Sequence, residues 1–141
     1  MLYHQAQGVP QDYAEARQWY EKAAAQGYAM AQYNLGLLYD NGDGVPQDFA
    51  TARQWYEKAA AQGYAMAQTN LGMLYAHGQG IPQDDVRAYM WHNVAAAQLM
   101  GDEQKLVVDD RDRVARRMTP AQLAEAQLLA SRCQAQQFKG C

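Results

Sequence analysis

The chain has 141 residues, 49% of them apolar and 19% charged, a composition that suits one compact domain or a short repeat array and argues against disorder. A formal charge of -3 and a pI near 5.5 leave no basic field for a nucleic acid or an anionic membrane to meet. No apolar run approaches the roughly 20 residues that a bilayer span needs, so no membrane insertion is expected, and the first ten letters lack the basic-then-apolar order of an export signal.

Read from the start, the chain repeats itself. VPQD at 9–12 returns at 45–48 and, as IPQD, at 81–84; RQWYEKAAAQGYAMAQ at 17–32 returns unaltered at 53–68. The period is 36, and block 9–44 matches block 45–80 at 29 of 36 positions. A fixed period of this size marks stacked supersecondary units and not a single-core globule.

Each unit reads as two helices. Asp12, Asp48 and Asp84, each two residues after a proline, are placed to cap the first helix, with Glu15 at capping-box distance from Asp12. Gly27 and Gly63 close that helix in a left-handed conformation, and Gly42 and Gly78 close the next. Phe49, Ala52, Trp55, Tyr56, Ala59 and Ala60 make an apolar stripe at helical spacing; Ala31, Leu35, Leu38 and Tyr39 make the stripe of the second helix. Gly36 and Gly72 sit inside helices at a cost of about 0.5–1 kcal/mol each relative to alanine, which suggests close helix contact there.

The third unit departs from the pattern after residue 98: Leu99 stands where glycine is expected, and DEQKLVVDDRDRVARRM no longer matches. Asp109 with Arg113 and Asp112 with Arg116 are spaced for ion pairs on an exposed helix face. TPAQ at 119–122 is a capping box that opens a last helix to about Gln137. The division that follows is a truncated start at 1–8, repeats at 9–44 and 45–80, a third repeat at 81–101, and charged capping helices at 102–141 that shield the end of the stack.

The segment from Ala31 to Gly63, AQYNLGLLYDNGDGVPQDFATARQWYEKAAAQG, resembles the Sel-one-like repeat, a relative of the tetratricopeptide repeat, and the resemblance covers residues 1–98. It implies an all-α fold, an α/α solenoid that acts as an adaptor gripping peptides or protein surfaces, frequently in exported or membrane-associated complexes. Met1, Leu2 and Tyr3 align with Leu37, Leu38 and Tyr39, so the chain begins halfway through a helix. Either the chain is a fragment of a longer array or its start is misplaced, and the open N-terminal end invites self-association or fraying of residues 1–7.

Seven differences separate the two close copies, and four lie in one helix: Tyr33/Thr69, Leu37/Met73, Asp40/Ala76 and Asn41/His77. At about 100° per residue these positions share an arc roughly opposite the buried stripe. In the tetratricopeptide relatives that arc lines a concave groove. Neutral drift of an exposed face is one account. The other is a partner-binding groove formed by Met30, Tyr33, Asn34, Leu37, Asp40 and Asn41 with Met66, Thr69, Asn70, Met73 and His77. There methionines and an aromatic ring supply adaptable apolar contacts, and asparagines bond an extended backbone. The partner expected is a protein or peptide.

Catalysis finds little support. Some secreted relatives are described as penicillin-binding or β-lactamase-like, which makes a secreted cell-wall hydrolase the rival reading. The one serine, Ser131, lies in SRCQ and not in S-x-x-K, and no K-T-G occurs. His4, His77 and His92 fall on different helices without zinc spacing, DNGDG at 40–44 lacks the later glutamate of a calcium loop, and no metal or other cofactor is expected. Cys133 and Cys141, the only cysteines, can meet if Phe138–Gly140 folds the tail back; two free thiols is the alternative. Family members with disulfide-bridged repeats use the same eight-residue offset. A bridge would favour a periplasmic or secreted setting.

Overall fold

The computed structural model describes residues 10–141, with side chains from residue 12 onward. The half-helix expected at Met1–Tyr3, the open N-terminal end and His4 lie outside these residues. Seven helices and no strand are present among the described residues: α1 Pro10–Ala25, α2 Ala29–Asn41, α3 Phe49–Ala60, α4 Ala65–His77, α5 Asp85–Ala96, α6 Gly101–Ala115 and α7 Pro120–Ala135. Each packs on its successor through α6, and α5 also carries α7, so the array is an all-α solenoid.

The punctuation is chemical. Asp48 and Asp84 cap α3 and α5 by accepting from the backbone N–H of Thr51 at 3.1 Å and of Arg87 at 3.0 Å. The hydrogen bonds from the Thr51 backbone and hydroxyl lower the Asp48 carboxyl pKa. Asp12 departs from this plan: α1 begins at Pro10, two residues before it, so Asp12 lies in the first turn and favours the helix through its dipole. Gly42 and Gly78, at φ of 71° and 65°, return their N–H groups to Leu38 and Leu74 and end α2 and α4. The Thr119–Gln122 capping box forms as read.

Inside, Ala16, Tyr20, Ala24, Leu35 and Leu38 form one cluster, and a larger one runs from Ala52 and Tyr56 to Ala130 and Cys133. Side chains such as Leu35 and Leu38, fully buried, stabilise by about 1.5–3 kcal/mol each. A ladder of glutamines ties the units. Gln32, Gln68 and Gln104 each donate to the carbonyl eight residues back, at Ala24, Ala60 and Ala96. Gln62 and Gln98 donate in turn to the side-chain oxygens of Gln32 and Gln68, at 2.9 and 2.7 Å.

Gln104 corrects the reading of the third unit. Ala29, Ala65 and Gly101 open α2, α4 and α6 at intervals of 36, so the repeat continues one helix beyond the point where the letters stop matching. Leu99 keeps the closing bond of the glycine it replaces, from its N–H to the Ala96 carbonyl at 3.4 Å, without a left-handed φ; the positive φ of this turn falls at Gly101, at 63°. The ion pairs differ too: Arg113 meets Asp110 at 2.8 Å and Arg111 meets Asp112 at 3.2 Å, in place of the four-residue pairs. Helix α6 buries Val107 and Val114, and that rotation sends Arg111 to Asn93 and over the Tyr89 ring. At the chain end, a disulfide joins Cys133 to Cys141.

Candidate functional site

The eleven residues read as a groove all lie on the even-numbered helices, at three depths. Met30 and Met73 are 54% and 39% exposed, and Asn41 and His77 are also open. Tyr33, Asn34, Leu37, Asp40, Met66 and Asn70 are half-buried. Thr69 is the correction: it is buried, and its hydroxyl donates to the Ala65 carbonyl of its own helix at 3.0 Å, so it offers nothing to a partner.

Tyr33 shows why that position closes. Its ring leans into the following unit, with centroids 5.2 Å from Tyr64 and 6.0 Å from Tyr56. Burial raises its pKa, Tyr64 adds to the rise, and Asn70 opposes it. Leu37 likewise packs against the second unit's core. Position 33 therefore borders the seam between the first two units.

A second pair explains Asp40/Ala76. Tyr56, fully buried, lies on Gly36 so closely that a Cβ there would come within 2.4 Å of its ring. Its hydroxyl donates to Asp40 Oδ2 at 2.8 Å and accepts from Asn70 Nδ2 at 3.3 Å. Burial, then the Asp40 charge, push the phenol well above its ordinary pKa. Thirty-six residues on, His92 lies on Gly72 in the same way, and Ala76 stands opposite. Where the hydroxyl is gone, its acceptor is gone with it; a buried aspartate at 76 would lack that donor. Beside Ala76 and His92 lies a recess of about 60 Å³ also bordered by Met73, His77, Asp110 and two arginines, Arg113 and Arg117. His92 Nδ1 is sealed there without a partner. Burial lowers its pKa to about 4, with Asp110 opposing the shift and His77 reinforcing it.

Among the described residues no cluster of three or more histidines, cysteines and acids could hold a metal, and no helix is long and apolar enough to cross a membrane. Nothing assembled around Ser131 resembles a nucleophile; that residue is exposed on α7.

The Sel1 repeat profile matches three consecutive segments, residues 1–28, 29–64 and 65–98. The chain belongs to the Sel1 repeat family. Among solved structures it is similar to a protective antigen present in uropathogenic Escherichia coli strains that displays an SLR fold, with 33% identity over 97% of this chain and a TM-score of 0.89. It is also similar to a Sel1 repeat protein from Oxalobacter formigenes, with 43% identity over 62% of this chain and a TM-score of 0.59. The chain spans 28% and 35% of the lengths of those two proteins. No curated protein sequence gives a significant match.

Sel1 repeat proteins are generally protein-interaction scaffolds, and neither structural relative points to a hydrolase. Within this Sel1 array the residues that sequence reasoning missed are Tyr56 and His92. Along the sequence Tyr56 is one member of an apolar stripe and His92 an isolated histidine. The signal available was their 36-residue equivalence, together with the matching change from Asp40 to Ala76.

Proposed function

We propose that this Sel1 chain is a non-enzymatic scaffold that holds an extended protein segment along the face of α2 and α4. The observation that supports this most directly is the set of open side chains on the two helices, Met30 and Asn41 on α2 and Met73 and His77 on α4, of which Asn41 and His77 are equivalent positions. Two of them are flexible thioethers standing in water. Methionine in such a place adapts to varied apolar side chains. The half-buried Tyr33, Asn34, Leu37, Met66 and Asn70 form the floor, and Asp40 serves it by fixing Tyr56. Thr69 has no part in the contact.

The test is a crosslinking pull-down from the native host with the wild-type chain and a Met30→Glu, Met73→Glu variant. Both positions are exposed, so the charges leave folding intact. The proposal expects partners captured by wild type to fall by about tenfold or more in the variant. Equal recovery would assign binding to another face, and turnover of cell-wall fragments by the purified chain would restore the hydrolase reading.

A further inference from the structure

The C-terminal tail shows what a slot on the odd-numbered helices accepts. After α7, Gln137 and Phe138 take left-handed conformations at φ of 56° and 70°, the disulfide closes, and Arg87 donates to the Cys141 carbonyl at 3.0 Å. This turn lies over a slot between α3 and α5, above α4, walled by Glu57, Ala61, Leu71, Tyr75 and Trp91. Phe138 sits on Gly63, where an added Cβ would meet ring carbons at 2.9 and 3.1 Å. Trp91 and Tyr75 are left 5% and 9% exposed.

The repeat builds the slot twice. Thirty-six residues earlier stand Glu21, Ala25, Leu35, Tyr39 and Trp55, identical in type at all five positions, with Gly27 in place of Gly63. Here no described residue supplies a cover. A Cβ on Gly27 would meet nothing within 4 Å, Trp55 and Tyr39 are half-exposed, and Ala25 is open. Lys58 lays its ammonium 4.7 Å from the Trp55 ring centroid, on a rotatable stem, whereas the covered copy has Val94 at that position.

We infer that the slot between α1 and α3 is a docking site for a partner segment that presents a phenylalanine followed two residues later by a glycine in a tight turn. The ring settles on Gly27 as Phe138 settles on Gly63. The glycine lets the backbone turn away beside Trp55, as Gly140 does at φ 75° beside the first slot. The occupant is defined by what the chain itself places on the same five residues, although Thr51 and Lys58 stand here where the covered slot has Arg87 and Val94. This site is on a different face from the proposed α2/α4 groove, and either can fail without the other.

The probe is the disulfide-closed nonapeptide with the sequence of residues 133–141, titrated into the full chain carrying fluorotryptophan. Three resonances are assigned by replacing Trp19, Trp55 and Trp91 singly. The expected result is a saturable shift of the Trp55 resonance with roughly millimolar affinity and a static Trp91 resonance. The shift should weaken about tenfold in an Ala25→Arg chain, which fills the slot from an exposed position, and with a peptide bearing alanine for phenylalanine. An unmoved Trp55 resonance, or equal shifts with the alanine peptide, overturns the inference. A Trp55 shift that grows with protein concentration alone and vanishes on deleting residues 137–141 also overturns it, by making the occupant a second copy.

Discussion

Gly36 and Gly72 occupy equivalent places yet confront different rings, and the difference is measurable. Adding a methyl at Gly36 drives it against the Cδ1–Cε1 edge of the fully buried Tyr56 ring. The overpacking cost of about 1–3 kcal/mol should exceed the 0.5–1 kcal/mol that alanine gains as a helix former. At Gly72 the ring is the smaller His92, with the 60 Å³ recess beside it to receive a displacement. Gly36→Ala should therefore lower the urea midpoint clearly more than Gly72→Ala; equal losses would show that the recess gives no relief. His92 makes stability depend on pH in a known direction. Its folded pKa near 4 lies below the ordinary value of 6.5, so the unfolded chain binds the proton first as pH falls. Stability from this residue is complete above about pH 6.5 and drains away between there and pH 4, by about 3 kcal/mol in full. Asp110, His77, Arg113 and Arg117 border the same recess, and of these Asp110 raises the lower limit while His77 lowers it. A His92→Gln variant should flatten the unfolding free energy across that window; an unchanged slope would place the titration elsewhere.

At the level of helices, the caps and closures were open to reading because they depend on one or two letters: aspartate or threonine ahead of a helix, glycine behind it. Asp48, Asp84, Thr119, Gly42 and Gly78 act as their chemistry requires. Asp12 lies inside a helix that opens at Pro10, whereas the identical VPQD at 45–48 leaves Pro46 outside α3 and makes Asp48 the cap, so these four letters do not decide the start. The depth of the groove residues was less legible. Angular position around one helix says which residues share an arc, but Thr69 is buried and Tyr33 half-buried by a neighbouring unit whose approach no single-helix projection contains. The tail was half legible: eight letters between cysteines allow closure, while the landing of Phe138 on Gly63 depends on where α3 and α5 leave a gap. Cutting the staple has two expected effects. Cys141→Ser should remove about 2–3 kcal/mol, from the entropy of an eight-residue loop. It should also release Phe138 and shift tryptophan emission to the red as Trp91 meets water. A lower midpoint with unchanged emission would mean that the turn holds its place without the bond.

The whole molecule behaves as a row of like parts, so its design can be tested by lengthening it. Each rung of the glutamine ladder takes donor and acceptor from successive units, and each Gly–ring contact does the same. An added unit therefore makes all its contacts with material already there. The choice of unit matters, and the Asp40–Tyr56 bond decides it. A second copy of residues 9–44 inserted after the first puts Asp40 opposite the incoming Tyr20, the counterpart of Tyr56, and the longer chain should melt higher. Doubling 45–80 instead sets a tyrosine hydroxyl against Ala76, and that insertion should raise the melting point less or lower it. If both extensions melt alike, the polar pair has no say in the joint. A single carboxylate, then, works like the keyed end of a coupling: it settles which segment can be laid next to which, and so in what order a longer array of these parts can be strung.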